Sequence, residues 1–327
     1  MNNYPWLKVY VDQWHNLVKT QSAPHAILLS GAKGLAKAEL AKMMAHISVC
    51  EDLQESSVCN HCKGCHLFNS GNHTDVTIIT AEKAVIKVDQ IRQLSKDVVL
   101  SSTRNNYRVM IIEDAEKMNK ASANALLKTL EEPPANVIII LTTSEIGYLL
   151  ATIKSRCFKV NIKSNDRQLL IQWIQQNCTN SLDEINQAML LSNDSPVDSL
   201  TILKDNKLTS VRFMLEDLDQ LAKRQSGVLE ISKKWLKEES LNNLSLIAAY
   251  FLNIIKANNS LIEKSILNSL SHTNYANIQG LDKKILNFIN KTYDIINRLR
   301  TPLKPELMLE ELLISWQNDF VVNDRLS

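Results

Sequence analysis

Breakers of regular structure are scarce: glycine and proline number seven each in 327 residues, and aromatic residues make up 6%. So little of either excludes a collagen-like or low-complexity chain and argues against long disordered linkers. Few aromatics, beside abundant Leu, Ile, Ala, Lys and Asn, favour helices over a β-sandwich. No apolar stretch approaches the roughly 20 residues needed to cross a bilayer. The opening MNNYPWLKVYVDQWH is polar throughout and has no signal-peptide core. A cytoplasmic location with no membrane contact is expected. A dominant charge is missing too: 37 Lys and Arg stand against 35 Asp and Glu, a formal net charge of +2. No strongly basic face is legible, so contact with DNA is expected to be shared with partners.

What is present is a soluble composition, 45% hydrophobic and 22% charged, in a chain long enough for two or three domains. The first half alternates apolar runs with helical periodicity. Strands are predicted at Ala26–Ser30, Val76–Thr80, Arg108–Ile112, Val137–Leu141 and Phe158–Ile162. Helices are predicted near Lys37–Val49, Val88–Val99 and Lys120–Glu131, the last stopped by Pro133 and Pro134. Such alternation means an α/β domain, a parallel sheet covered by helices. After residue 163 the strand signal fades. Asn165–Asn177, Leu182–Leu191 and Ser195–Leu203 read as a small helical unit, and 209–327 as further helices such as Leu241–Ile255 and Pro305–Trp316.

A phosphate-binding loop follows the first strand, with two of its residues replaced. A working loop reads G-x-x-x-x-G-K-[ST]: the lysine reaches the terminal phosphates and the hydroxyl ligates magnesium. Here Gly31, Gly34 and Lys37 remain, Ala36 stands for the second motif glycine, and Ala38 replaces the hydroxyl. Loss of that hydroxyl predicts weak or absent Mg-ATP turnover, while Lys37 and the helix N-terminus retain the means to hold a phosphate. Arg108–Ile112 ends in Glu113 and Asp114, like a Walker B strand with its two acids reversed, although a solvated strand end fits as well. Thr142, Thr143 and Ser144 follow the next strand, where a polar residue faces a γ-phosphate or merely closes a turn. Arg156 precedes the last strand. It is an ordinary surface charge unless a neighbouring subunit's nucleotide lies against it, where an arginine given in trans stabilises the transferring phosphoryl group.

Four of the six cysteines fall within sixteen residues, Cys50, Cys59, Cys62 and Cys65. A cytosolic chain does not use cysteine for a disulfide framework. Four thiolates with two-residue gaps satisfy tetrahedral zinc, and a complete protein shell makes the metal structural rather than catalytic. Gly64 is expected to help the turn that aims the sulfurs. His61 and His66 sit inside the cluster and are expected to be solvated, though either offers a replacement ligand. Buried or redox-active thiols are the alternative.

Taken together, these residues resemble the delta-prime class of bacterial DNA polymerase III clamp-loader subunits, within the AAA+ family. The resemblance spans most of the chain. It rests on Tyr4-Pro5-Trp6, the run His25–Leu29 before the altered loop, the cysteine module, the run Ala123–Pro134 (ANALLKTLEEPP) and the triplet Ser155-Arg156-Cys157. Glu306–Trp316 is similar to the family's last helix, though less specifically. The resemblance implies an AAA+ domain over 1–163 carrying the zinc module at 50–65, a helical lid over 164–208, and a helical collar over 209–327. It also implies a place in a hetero-pentamer with the motor subunits gamma or tau and with delta, and through the complex an association with the sliding clamp and primed DNA. The chain would belong to the DNA polymerase III holoenzyme without an ATPase of its own, bind ATP at most weakly, and present Arg156 as an arginine finger to a neighbour's ATP site. Ser192–Pro196 lacks the sensor arginine of motor subunits, which agrees with an inactive site; Asp194 and Val197 depart from the glycine often found beside the Ser-Pro pair.

Three rivals stand beside this reading. An active ATPase conflicts with Ala38 and the missing lid arginine. A zinc-dependent nucleic-acid module conflicts with the near-neutral charge. A plain helical scaffold leaves the run Ala123–Pro134 unexplained.

Overall fold

The computed structural model of the protein describes residues 4–55, 57–82, 84–99, 107–164, 166–237, 240–258, 280–298 and 304–320. The chain divides into two compact units, Met1–Leu170 and Ile171–Ser327.

In the first unit the elements follow one another as α1 (Lys8–Lys19), β1 (Ala26–Ser30), α2 (Lys37–Val49), α3 (Lys63–Asn69), β2 (Val76–Ile79), α4 (Val88–Val99), β3 (Arg108–Ile112), α5 (Lys120–Glu131), β4 (Val137–Thr143), α6 (Ala151–Lys154) and β5 (Phe158–Asn161). The five strands form one sheet in the order β2-β3-β4-β1-β5, and every pairing is parallel. The apolar runs explain the order. AILLS and VIIILTT are buried along their whole lengths, as strands in the middle of a sheet covered on both faces must be. FKVN, with Phe158, Lys159 and Asn161 exposed, takes an edge.

Alternation along the strands makes two cores. Ala26, Leu28, Met110, Ile112, Ile139 and Leu141 face one side and join Ile91 and Leu94 of α4, Leu126 and Leu130 of α5 and Ile153 of α6. Ile27 and Leu29 face the other side, around a small apolar cavity shared with Leu40 and Met44 of α2 and Trp14 and Leu17 of α1. Helix α1 was not among the predicted helices, although Tyr10, Val11, Trp14, Leu17 and Val18 recur with helical spacing. The Trp14 indole fixes it to α2 by donating to Met44 O at 2.9 Å and Ser48 Oγ at 3.2 Å. At the other end of the sheet, β2 and β3 are tied by a buried ion pair, Arg108 Nη2 to Asp75 Oδ1 at 3.0 Å. The carboxyl ends of β1, β3 and β4 carry Gly31, Glu113 and Thr143 respectively, and ligands of open α/β sheets bind beyond that edge.

The rest is helical: α7 (Arg167–Asn177), α8 (Leu182–Leu191), α9 (Pro196–Lys204), α10 (Lys207–Ala222), α11 (Val228–Lys237), α12 (Leu244–Asn258), α13 (Leu281–Arg298) and α14 (Pro305–Asp319). Ser181 and Glu184 form a reciprocal capping box that starts α8. Pro196 opens α9 behind a Ser195 cap. Aromatic anchors fill the core: Trp316 stacks on Phe320 at 3.8 Å and meets Phe251 and Phe288, while its indole donates to Leu218 O at 2.7 Å. Asp217, buried in α10, accepts from Trp235 Nε1 at 2.9 Å and Lys234 Nζ at 2.8 Å, so the charge is paired. All five tryptophans are packing anchors, each buried. Among the described residues no helix is long and apolar enough to cross a membrane.

Candidate metal centre and nucleotide-site remnant

The cysteine module grows from the end of α2. Cys50 follows the last residue of that helix, Cys62 caps α3, and Cys65 lies one turn inside it. Gly64 serves differently from expectation. It lies within α3, where a Cβ would fall 2.4 Å from Val49 O, so glycine is required for the close approach of α3 to the end of α2 rather than for a turn.

The four Sγ atoms lie within 4.8 Å of one another. Cys50 and Cys59 are 3.6 Å apart, Cys50 and Cys65 3.7 Å, and Cys59 and Cys65 3.9 Å. Bonds of about 2.3 Å to a central zinc require sulfur–sulfur edges of about 3.8 Å in a regular tetrahedron. Backbone N–H groups already point at the sulfurs. Cys62 Sγ accepts from Cys65 N and Glu51 N, Cys59 Sγ from Cys62 N, and Cys50 Sγ from Cys59 N, all at 3.3–3.4 Å. Such donors stabilise thiolate. Burial pushes the Cys50 and Cys65 thiols up. Burial acts in the same sense on Cys59, but the N–H groups of Cys62 and His61 outweigh it and bring that thiol down to about 7. Four thiolates this close repel unless a cation sits among them. The donor set is thus compatible with structural zinc, and its four sulfurs complete the shell.

His61 and His66 are both exposed. The His61 ring lies 2.9 Å from Cys59 O and 3.5 Å from Asp52 Oδ2, outside the tetrahedron. Asp52, Cys59 and His61 do form a second close group, but it is solvent-facing and shares Cys59 with the first.

The altered loop keeps the backbone of a phosphate loop. A Cβ on Gly31 would lie 2.5 Å from Ile162 O, so only glycine fits there. Gly34 has φ 74°, and Ala36 holds φ 56°, ψ 37°, the left-handed conformation suited to the missing glycine. Lys37 begins α2 and is 6% exposed. Its ammonium donates to Gly31 O at 3.0 Å and Ala32 O at 2.7 Å, so carbonyls of the loop itself hold the group that would reach a phosphate.

The two acids after β3 diverge. Glu113 Oε1 lies 3.8 Å from Lys42 Nζ of α2, which also pairs with Glu39 at 2.9 Å. Asp114 turns to Lys117 at 2.7 Å. The hydroxyls that end β4 are engaged by turns: Thr142 Oγ1 accepts from Asp114 N in the turn after β3 and Thr143 Oγ1 from Glu145 N in the turn after β4, both at 3.1 Å.

Arg156 stands between α6 and β5. Its Nη1 donates to Thr152 O at 3.0 Å and its Nη2 lies 2.6 Å from Glu131 Oε1. Its neighbour Cys157 is a core residue whose thiol burial pushes up to about 11. Sequence reading missed Lys42 and Glu131 as partners. Glu131 lies inside the diagnostic run Ala123–Pro134, yet 25 residues separate it from Arg156 and only the fold joins them.

A family model described as DNA polymerase III, delta subunit, matches residues 7–166. The chain is 30% identical over 235 residues to DNA polymerase III subunit delta-prime of Pseudomonas aeruginosa, with 71% of each chain covered. It is 26% identical to the protein of the same name from Yersinia pestis over 332 residues, covering 97% of this chain and 96% of the relative. DNA polymerase III subunit gamma of Buchnera aphidicola is 35% identical over 144 residues, 43% of this chain and 39% of that one. Among solved structures, a DNA polymerase III gamma-subunit-related protein from Thermotoga maritima shares the fold, with a TM-score of 0.51 at 21% identity, covering 94% of this chain and 99% of that one.

Proposed function

The chain belongs to the family of DNA polymerase III delta-prime subunits, and from that premise we propose that it is a non-motor subunit of a bacterial clamp loader. In this reading it works in the cytoplasm beside gamma or tau and delta in a hetero-pentamer that places the sliding clamp on primed DNA. The observation that carries the non-motor assignment is the altered loop. Lys37 is held by the carbonyls of Gly31 and Ala32, and Ala38 has no hydroxyl for magnesium. ATP is bound weakly at most and is not hydrolysed here.

Residues 1–163 form the AAA+ domain in this proposal, 164–208 the lid and 209–327 the collar. Cys50, Cys59, Cys62 and Cys65 hold one zinc, which fixes the end of α2 to α3 and takes no part in chemistry. Arg156 serves in trans. Its part-exposed side chain, 34% accessible and two residues before the edge strand β5, supports the reading. From there it faces the γ-phosphate in the adjacent motor subunit, where fingers of this kind are worth about 10³–10⁵ in rate at the site they serve.

The test is the DNA- and clamp-stimulated ATPase of the reconstituted pentamer, with the native chain or Arg156→Ala, after equal assembly has been shown by gel filtration. A large fall in turnover is expected. Unchanged turnover in an intact complex removes Arg156 from the mechanism.

A further inference from the structure

We propose that Glu131 is the positioning residue for Arg156: its carboxylate fixes the direction in which the guanidinium meets the neighbouring subunit's phosphate. The inference rests on the reading of Arg156 as a finger given in trans.

The guanidinium is held at two corners, by Thr152 O on Nη1 at 3.0 Å and Glu131 Oε1 on Nη2 at 2.6 Å. An arginine side chain otherwise samples many rotamers, and a finger that must find its phosphate from that ensemble loses rate to disorder. Nη1 also makes a long contact of 3.5 Å to the Ser155 hydroxyl, so of the five N–H donors of a guanidinium Nε–H and the second hydrogen of Nη2 remain for an incoming anion. Glu131 can therefore stay bound while a phosphate is engaged.

The anchor itself is rigid. Glu131 is the last residue of α5, Leu126 and Leu130 root that helix in the sheet core, and Pro133 and Pro134 follow after Glu132. The other anchor, Thr152 O, belongs to α6, which Ile153 ties to the same core. Two elements fixed in one core thus define the plane of the guanidinium, the support that a precise site requires. Both side chains are part-exposed, 34% and 50%, and pairs of that exposure contribute little to stability. Removing the carboxylate should leave the fold intact, which makes the test clean.

The pentamer is reconstituted with Glu131→Ala, Glu131→Gln, Arg156→Ala or the double variant Glu131→Ala/Arg156→Ala, and kcat and KM for ATP are measured under DNA and clamp stimulation. Glu131→Ala is expected to lower kcat about fivefold, the size set by one part-exposed charged contact, with KM unchanged because ground-state nucleotide binding lies on the neighbour. Glu131→Gln, whose amide oxygen still accepts from Nη2, should recover most of that loss. The double variant should fall no further than Arg156→Ala alone, since Glu131 acts only through the arginine. An unchanged or raised kcat in Glu131→Ala, or a further loss in the Arg156→Ala background, overturns the positioning role. If Arg156→Ala lowers turnover and Glu131→Ala does not, only this inference fails; if Arg156→Ala has no effect, the finger reading fails first and takes this one with it.

Discussion

At the scale of single residues, two positions in the altered loop carry opposite backbone demands. Ala36 sits at φ 56°, ψ 37°, where an L side chain is strained by roughly 1–2 kcal/mol and glycine is not. Gly31 has no room for a side chain, because a Cβ would lie 2.5 Å from a backbone oxygen that cannot swing aside. Ala36→Gly is therefore expected to leave stability unchanged or raise it by up to about 1 kcal/mol once the greater freedom of the unfolded glycine is subtracted. Gly31→Ala should destabilise by about 1–3 kcal/mol, the cost of forcing packed backbone apart. Urea unfolding of both variants checks the pair, and equal effects would contradict the strain argument. The glycine-to-alanine change at 36 was legible in the sequence as a departure from a known spacing. The demand at Gly31 was not, since the obstructing Ile162 is far along the chain and arrives only when β5 joins β1. The pairings of Lys42 with Glu113 and of Glu131 with Arg156 were hidden for the same reason: nothing in local spacing announces a partner brought by tertiary contact.

At the scale of elements, the strands were legible because parallel strands buried on both faces must be written as continuous apolar runs, and AILLS, RVMII and VIIILTT are such runs. Their ends shift by a residue or two where polar side chains extend or shorten a ladder. Thr142 and Thr143 extend β4, since their hydroxyls take turn N–H groups while their backbones still pair with β1. Helices α1 and α3 were not predicted. Helix α1 was missed although its less exposed side, Tyr10, Val11, Trp14, His15, Leu17 and Val18, recurs with helical spacing, because polar His15 interrupts the apolar stripe; α3 is seven residues with no apolar period, held by the Cys62 cap and the sulfur cluster. A helix so short is not stable on its own, so the zinc proposed for the four cysteines would have a structural task. Removing zinc with a strong chelator, or Cys65→Ala, should free α3 and the end of α2 together. Metal binding by a site absent from the unfolded chain is folding free energy, so a loss of several kcal/mol in a unit of this size should lower Tm by about 10 °C or more. Elemental analysis of the native protein should return one zinc per chain. Metal-free native protein melting at the same temperature as a zinc-loaded sample would count against the site.

At the scale of the whole molecule, composition and topology point the same way. A formal charge of +2 over 327 residues provides no broad electrostatic surface for a polyanion. The buried carboxylate–guanidinium pair Asp75–Arg108 at the amino ends of β2 and β3, and the paired Asp217 in the helical unit, spend their charges on holding the fold. DNA contact, in the proposed assembly, is thus a property of the complex. The isolated chain should bind primed DNA weakly at physiological salt and with a shallow salt dependence. For duplex contacts the slope of log K against log salt is about −0.9 for each phosphate neutralised. A slope between zero and about −2 in a fluorescence-anisotropy titration would mean at most two phosphates engaged. A slope of about −5 or steeper would mean a contiguous basic track. That outcome would shift the reading from a subunit that reaches DNA through its partners to one that grips it directly, because near-zero net charge forbids steering from a distance but not a local track assembled by folding.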